Sequence, residues 1–167
     1  MNKIGTHNSV TGEKSYGVLS KIVAIFSICQ FKTIQEQLEA GCTYFDIRVC
    51  KTRRGWICAH GLWESKRSAD SILQELNDSG KEVYVRLTLE KGDGDIEQFV
   101  GKYPNIKFTE LRIKNPFTIL KVINQVNCEE CYAPIYKGHK ELFFPVPLAW
   151  KKKVEFNNNV YKLVDFL

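Results

Sequence analysis

Apolar, β-branched runs alternate along this chain with stretches of helical period, and that alternation restricts the fold more than any other feature. Strands separated by helices pair in parallel, because each helix carries the chain back to the start of the next strand. The strand runs are 3–7, 44–49, 56–60, 82–90 and 106–109, with weaker ones at 133–136 and 160–166. Helical patterns cover 18–28, 33–40, 69–76, 95–103 and 117–126. Gly41 stops the second helix, and Asn77-Asp78-Ser79-Gly80 is a turn. The expected fold is α/β, a parallel β/α barrel of the TIM type. At 167 residues the chain forms one domain, 1–167. A full barrel takes about 250 residues, so this one is compact or incomplete.

Side chains alternate faces along a strand. In 44–49, Asp46 and Arg48 share one face, and Phe45, Ile47 and Val49 the other. In 82–90, Val83, Val85, Leu87 and Leu89 share one face, and Glu82, Tyr84, Arg86, Thr88 and Glu90 the other. A parallel strand covered on both sides reads as continuously apolar. A solvated sheet face explains the charges on either strand alone. In a β/α barrel, the C-terminal strand ends also carry the active site.

The chain has three histidines, His7, His60 and His139. His7 ends the first strand run, His60 the third, and Asp46 and Arg48 lie late in the second. Two imidazoles can serve as base and acid near neutrality. Arg48 brings a planar, permanently charged fork that fits a phosphate. A carboxylate can orient an imidazole and stabilise its charged form. Together the groups fit phosphoryl transfer to an internal nucleophile. Singly, each has an ordinary structural reading: a histidine in a core, or Asp46 and Arg48 as an ion pair.

Three blocks carry a family resemblance. They are Ile4-Gly5-Thr6-His7-Asn8-Ser9, then Gln30 with Thr33-Ile34-Gln35-Glu36-Gln37-Leu38-Glu39-Ala40-Gly41 and Tyr44-Phe45-Asp46-Ile47-Arg48, then His60-Gly61. In order and spacing, over residues 4–90, they resemble the X-type domain of phosphatidylinositol-specific phospholipase C. The resemblance implies that His7 is the general base that deprotonates the inositol 2-hydroxyl, which attacks the adjacent phosphorus. It implies that His60 is the general acid that protonates the departing diacylglycerol oxygen, and that Arg48 stabilises charge on the phosphate. Asp46 matches an acidic active-site residue, Glu90 a carboxylate at the end of the fourth strand, and Asp165, in the closing strand, a carboxylate beside the base. The implied products are diacylglycerol and a cyclic inositol phosphate.

The chain departs from this pattern at three places. Asn8 stands where bacterial members carry aspartate and calcium-dependent eukaryotic enzymes carry a metal-binding asparagine. Arg48 stands where the latter have a calcium-binding carboxylate, so the implied site uses no metal and no cofactor. Thr88 replaces a substrate-contacting lysine, with Arg86 one pleat earlier as a partial substitute. Asn8, Arg86 and Glu90 are the expected substrate contacts. Two other readings stay open: a related phosphodiesterase acting on another phospholipid or a glycerophosphodiester, and a catalytically silent lipid-binding domain of the same fold.

The net charge of +5 comes from dispersed basic residues without a nucleic-acid motif. It favours anionic lipid surfaces and phosphorylated substrates. Residues 16–29 are apolar, and Phe143, Phe144 and Trp150 precede Lys151, Lys152 and Lys153, as at an anionic membrane interface. Barrel core or an outer helix is the alternative for each. The expected partners are a phospholipid and a peripheral membrane surface, for a monomer that takes no nucleic acid. No apolar stretch reaches the roughly 20 residues that span a bilayer. No signal-peptide pattern precedes the first strand, so the chain as given reads as cytoplasmic, or secreted if a leader is missing. Six cysteines include one C-x-x-C pair, Cys128 and Cys131, without a second pair at zinc spacing; buried or free thiols are expected.

Overall fold

The computed structural model describes residues 2–114, 116–131 and 153–167. These contain the strands β1 (Ile4–Thr6), β2 (Cys42–Thr52), β3 (Gly55–His60), β4 (Trp63–Ser68), β5 (Val83–Lys91), β6 (Ile106–Ile113), β7 (Thr118–Val122), β8 (Cys128–Glu130) and β9 (Tyr161–Val164). The helices are α1 (Gly17–Ser27), α2 (Ile34–Glu39), α3 (Ala69–Asn77) and α4 (Ile96–Val100). One sheet holds the strands in the order β7-β6-β5-β2-β1-β9-β8, and β3 and β4 extend from β2 as a hairpin. Each neighbouring pair from β6 through β8 is parallel. The sheet curls into a half barrel, so the α/β class and barrel architecture hold. Among the described residues, its edges β7 and β8 do not pair with each other. The last strand meets the first, with Ile4 opposite Lys162 and Thr6 opposite Val164.

Two expectations are corrected. The third strand run is not a parallel barrel strand: β3 runs antiparallel to β2, with Val49 opposite Cys58. The run 117–126 is not a helix: β7 occupies its first half, antiparallel to β6. Its apolar residues fit a helical period, but Thr118, Ile119 and Val122 are β-branched and pack better on a pleated edge. The expected strand at 133–136, His139 and the aromatic and lysine positions 143–152 lie outside the described residues.

The outer face of the sheet holds the main core. Phe45, Ile47 and Val49 of β2 and Val83, Val85, Leu87 and Leu89 of β5 pack with Ile72, Leu73 and Leu76 of α3. Each such side chain contributes about 1.5–3 kcal/mol when buried. Ser68 caps α3 by accepting from Ser71 N–H, and Thr33 caps α2 in a reciprocal box with Glu36.

The inner face is layered. At the bottom, Tyr44, Tyr161 and Leu163 form a small apolar cluster. Gly5 keeps that layer thin: a Cβ there would lie 3.1 Å from Leu163 Cδ2 and 3.3 Å from Tyr44 Cβ. One pleat up, Asp46 faces Arg86 across the β2–β5 register, and above them Arg48 faces Thr88. The charges stand on an apolar floor.

Candidate active site

His7 follows β1 directly. Its N–H donates to Val164 O at 2.9 Å, so the β1–β9 pairing fixes its backbone. Its Nδ1 lies 2.8 Å from Asp165 Oδ1, and both residues are buried. A carboxylate only accepts, so Nδ1 carries a proton, and an uncharged ring would present its Nε2 lone pair to the interior. Gln30, fully buried, ties this junction together by donating to His7 O at 3.1 Å and Val164 O at 2.7 Å.

His60 ends β3, and the antiparallel hairpin returns it to the level of the β2 site residues. Its Nδ1 donates to Ser27 O, the last residue of α1, at 2.8 Å. The carbonyl fixes the same tautomer as in His7, so a second Nε2 lone pair faces the same space. Burial, helped by the Arg48 cation, pulls His60 down to about 4, against the opposing pull of the Ser27 carbonyl and Glu90. The free protein therefore holds His60 neutral at pH 7.

Asn8 joins the two rings. It adopts a left-handed backbone, φ 45° and ψ 49°, which asparagine tolerates and which turns the chain out of β1. Its Nδ2 lies 3.1 Å from His7 Nε2, 3.3 Å from His60 Nε2 and 3.3 Å from Cys29 Sγ. Its buried Oδ1 has no hydrogen-bond partner among the described residues. Cys29 is a thiol rather than a thiolate, because burial, reinforced by Asp165, pushes it up to about 12.

Asp46 accepts from Arg86 Nε at 3.0 Å and Asn8 N–H at 3.3 Å, and lies 3.7 Å from His7 Nε2. Burial alone would raise its carboxyl; Arg86, His7 and Arg48 outweigh that and hold it well below the usual carboxylate range. Arg86 also donates to Glu130 at 2.7 Å. Arg48 donates to His7 Nε2 and to Glu90 Oε2, each at 3.4 Å. Glu90 further accepts from Gly61 N–H at 2.9 Å and from Lys114. Burial opposes its charge too, and Lys114, Arg48 and the Gly61 N–H overcome it.

The structure thus brings His7, Asn8, Asp46, Arg48, His60, Arg86, Glu90 and Asp165 into one network. Lys114 and Gln30 belong to it as well. Lys114 shares a strand face with Glu110 and Arg112, so an i, i+2 reading carried past Thr109 would have found it. Beside the imidazoles opens a cavity of about 240 Å³, lined by Arg48, Arg86, Arg112 and Lys114, by Asp46 and Glu130, and by Thr88 and Phe117. Four cations against two carboxylates favour an anion there. Lys114, the residue after β6, places an ammonium on the same cavity as Thr88. Both cations are paired, Lys114 with Glu90 and Arg86 with Asp46 and Glu130.

Among solved structures, the chain resembles the phosphatidylinositol-specific phospholipase C from Listeria monocytogenes, with a TM-score of 0.55 and 16% identity over 81% of this chain and 63% of that one. The chain shares that enzyme's fold. A pentafluoro-Phe form of the Staphylococcus aureus enzyme superposes with a TM-score of 0.45 and 15% identity, over 60% of this chain and 36% of that one. This chain therefore spans less than two thirds of the Listeria chain and little more than a third of the S. aureus one. No protein-family model matches it, and no curated protein matches it in sequence.

Proposed function

We propose that the chain is a metal-independent phosphodiesterase that cleaves phosphatidylinositol to diacylglycerol and a cyclic inositol phosphate. The observation that carries this reading is the convergence of two Nε2 atoms of fixed tautomer, 3.1 and 3.3 Å from one amide nitrogen, beside a cation-lined cavity. His7, oriented by Asp165, takes the proton of the inositol 2-hydroxyl as its oxygen attacks phosphorus. Arg48 stabilises the charge that builds on the phosphate oxygens. His60 gives a proton to the departing diacylglycerol oxygen. Neutral in the free protein, it gains that proton as the substrate's negative phosphate raises its pKa. Asp46 holds the charges of Arg86 and Arg48 in place, and Asn8, Glu90 and Arg86 meet the inositol hydroxyls.

The same reading takes a lipid surface as partner. Val18, Leu19 and Ile22 project from one face of α1 with 74%, 60% and 65% of their surface exposed, beside the exposed Leu62 that follows His60-Gly61. An exposed apolar ridge at the mouth of a polar site suits an interface with acyl chains.

The test is turnover of the full chain on vesicles of phosphatidylinositol and, separately, of other phospholipids and glycerophosphodiesters, read by phosphorus NMR. A cyclic phosphodiester from phosphatidylinositol is expected. Turnover confined to another headgroup reassigns the substrate, and no turnover on any of them overturns the enzymatic reading.

A further inference from the structure

The residue behind the base is a thiol. His7, Cys29 and Asp165 each offer a metal-ligating atom, and the three atoms lie within 4.8 Å of one another. All three residues are buried, and they come from three separate parts of the chain: the end of β1, the residue after α1's C-cap, and the end of β9. A tetrahedral zinc ion with one nitrogen, one sulfur and one oxygen ligand spaces those atoms about 3.2–3.6 Å apart. At its widest, up to 4.8 Å, the triad must tighten by at most about 1.2–1.6 Å to reach that geometry. Its Nδ1–Oδ1 edge, at 2.8 Å, must open slightly. The Oδ1 of Asn8, unpartnered among the described residues, belongs to an amide whose nitrogen lies against both His7 and Cys29, so the side chain borders the triad with an acceptor that no described residue uses.

We propose that His7, Cys29 and Asp165 bind a thiophilic divalent cation of the zinc class, and that its binding silences His7 as a base. The silencing clause rests on the proposed function; the binding clause does not. The protons balance simply. The cation takes Cys29 as thiolate, and one proton leaves to solvent. It takes the Nδ1 lone pair of His7, so the ring proton moves from Nδ1 to Nε2. The site is then neutral: a divalent cation, a thiolate, the Asp165 carboxylate and a neutral imidazole. Nε2–H now faces the interior where a lone pair stood, and it cannot accept the substrate's proton. A turned Asn8 amide presents its free Oδ1 to that N–H, which satisfies both groups. The cation competes with catalysis rather than serving it.

The test uses Co²⁺ as a spectroscopic probe on the full chain in phosphate-free buffer. Thiolate-to-cobalt charge-transfer absorption in the near ultraviolet is expected, displaced by Zn²⁺ and accompanied by release of one proton per cation. Cys29→Ser is expected to abolish the band, and Cys29→Ala to do the same should the serine variant misfold. A Cys128→Ser/Cys131→Ser protein is expected to keep it. No band in the wild-type chain, or a band that follows Cys128 and Cys131 instead, overturns the site. In the activity arm, Zn²⁺ lowers turnover of the wild-type chain, and Cys29→Ser raises the concentration needed by about 10-fold or more. A Zn²⁺-bound chain with undiminished turnover overturns the silencing. A chain inactive under every condition counts against the proposed function alone, because the cobalt band still decides the site.

Discussion

The two sides of the curled sheet differ in what surrounds their strands. On one side, β6, β5, β2, β1 and β9 each have a strand on both flanks, and the inner face of this wall buries Asp46, Arg86, Glu90, His7 and Asp165. On the other, β7 is an edge strand whose five residues are all exposed, with Ile119 at 47% and Val122 at 56%. Burying an ionisable group costs several kcal/mol unless it is paired and hydrogen-bonded. Only the flanked strands hold enough partners at fixed positions to meet that cost. Most site residues therefore lie on this closed wall, His60 is added by the β3–β4 hairpin, and the β6–β7 corner contributes Arg112, Lys114 and Phe117 at the rim of the cavity.

The largest expected effect lies on the closed wall and the hairpin beside it. His7→Ala and His60→Ala each lower turnover by at least about 10²-fold, the scale of acid–base catalysis. The double variant loses less than the product of the two, since the residues act as a unit. A near-normal rate in either single variant removes that residue from the mechanism. Stability separates the two sides next. Leu87→Ala in β5 costs about 2–5 kcal/mol in urea unfolding, because it opens a cavity in the core. Ile119→Ser on β7 stays within about 0.5 kcal/mol. Equal losses would show that β7 is buried and erase the contrast.

A smaller effect comes from pH. His60 titrates near 6.5 in the unfolded chain and near 4 when folded, so between those values the unfolded state binds more protons. Stability is therefore full above about pH 6.5 and falls as the pH drops toward 4, and His60→Gln flattens that part of the curve. Asp46, also held low, adds its loss at more acidic pH, beginning at the ordinary carboxylate pKa where the unfolded chain takes up the proton. A melting temperature independent of pH from 6.5 to 4 would contradict the buried, neutral His60. The smallest effect is expected from EDTA, which leaves turnover in place because the Arg48 cation does the work of an ion. Activity lost to EDTA and restored by Ca²⁺ would contradict that.

Much of the closed wall was legible in the residues. The i, i+2 pattern in 44–49 and 82–90 placed Asp46, Arg48, Arg86 and Glu90 on one face, because period 2 leaves no other choice. The placement of Asp165 beside His7 came from the family resemblance, and no local signal joins residues 158 positions apart. The hairpin is not legible in the sequence because β4 reads Trp-Glu-Ser-Lys-Arg-Ser, a charged ribbon with one large apolar anchor, Trp63. The β7 run predicts a helix from its sequence because a short apolar run fits both periods. β8, three residues long, has too few positions to show any period. Cys29 and Ser27 carry no signal of their own; the end of α1 puts them against the rings.

The most direct test of the closed wall is Asp165→Asn, which keeps the shape of the side chain and removes the charge that holds the His7 ring. Turnover on phosphatidylinositol vesicles and urea unfolding are measured on the same preparation. The expected result is an unfolding transition like that of the wild-type chain with turnover clearly reduced, by less than the loss of the imidazole itself. A fully active Asp165→Asn chain would contradict the placement of the terminal strand's carboxylate as the partner of the base.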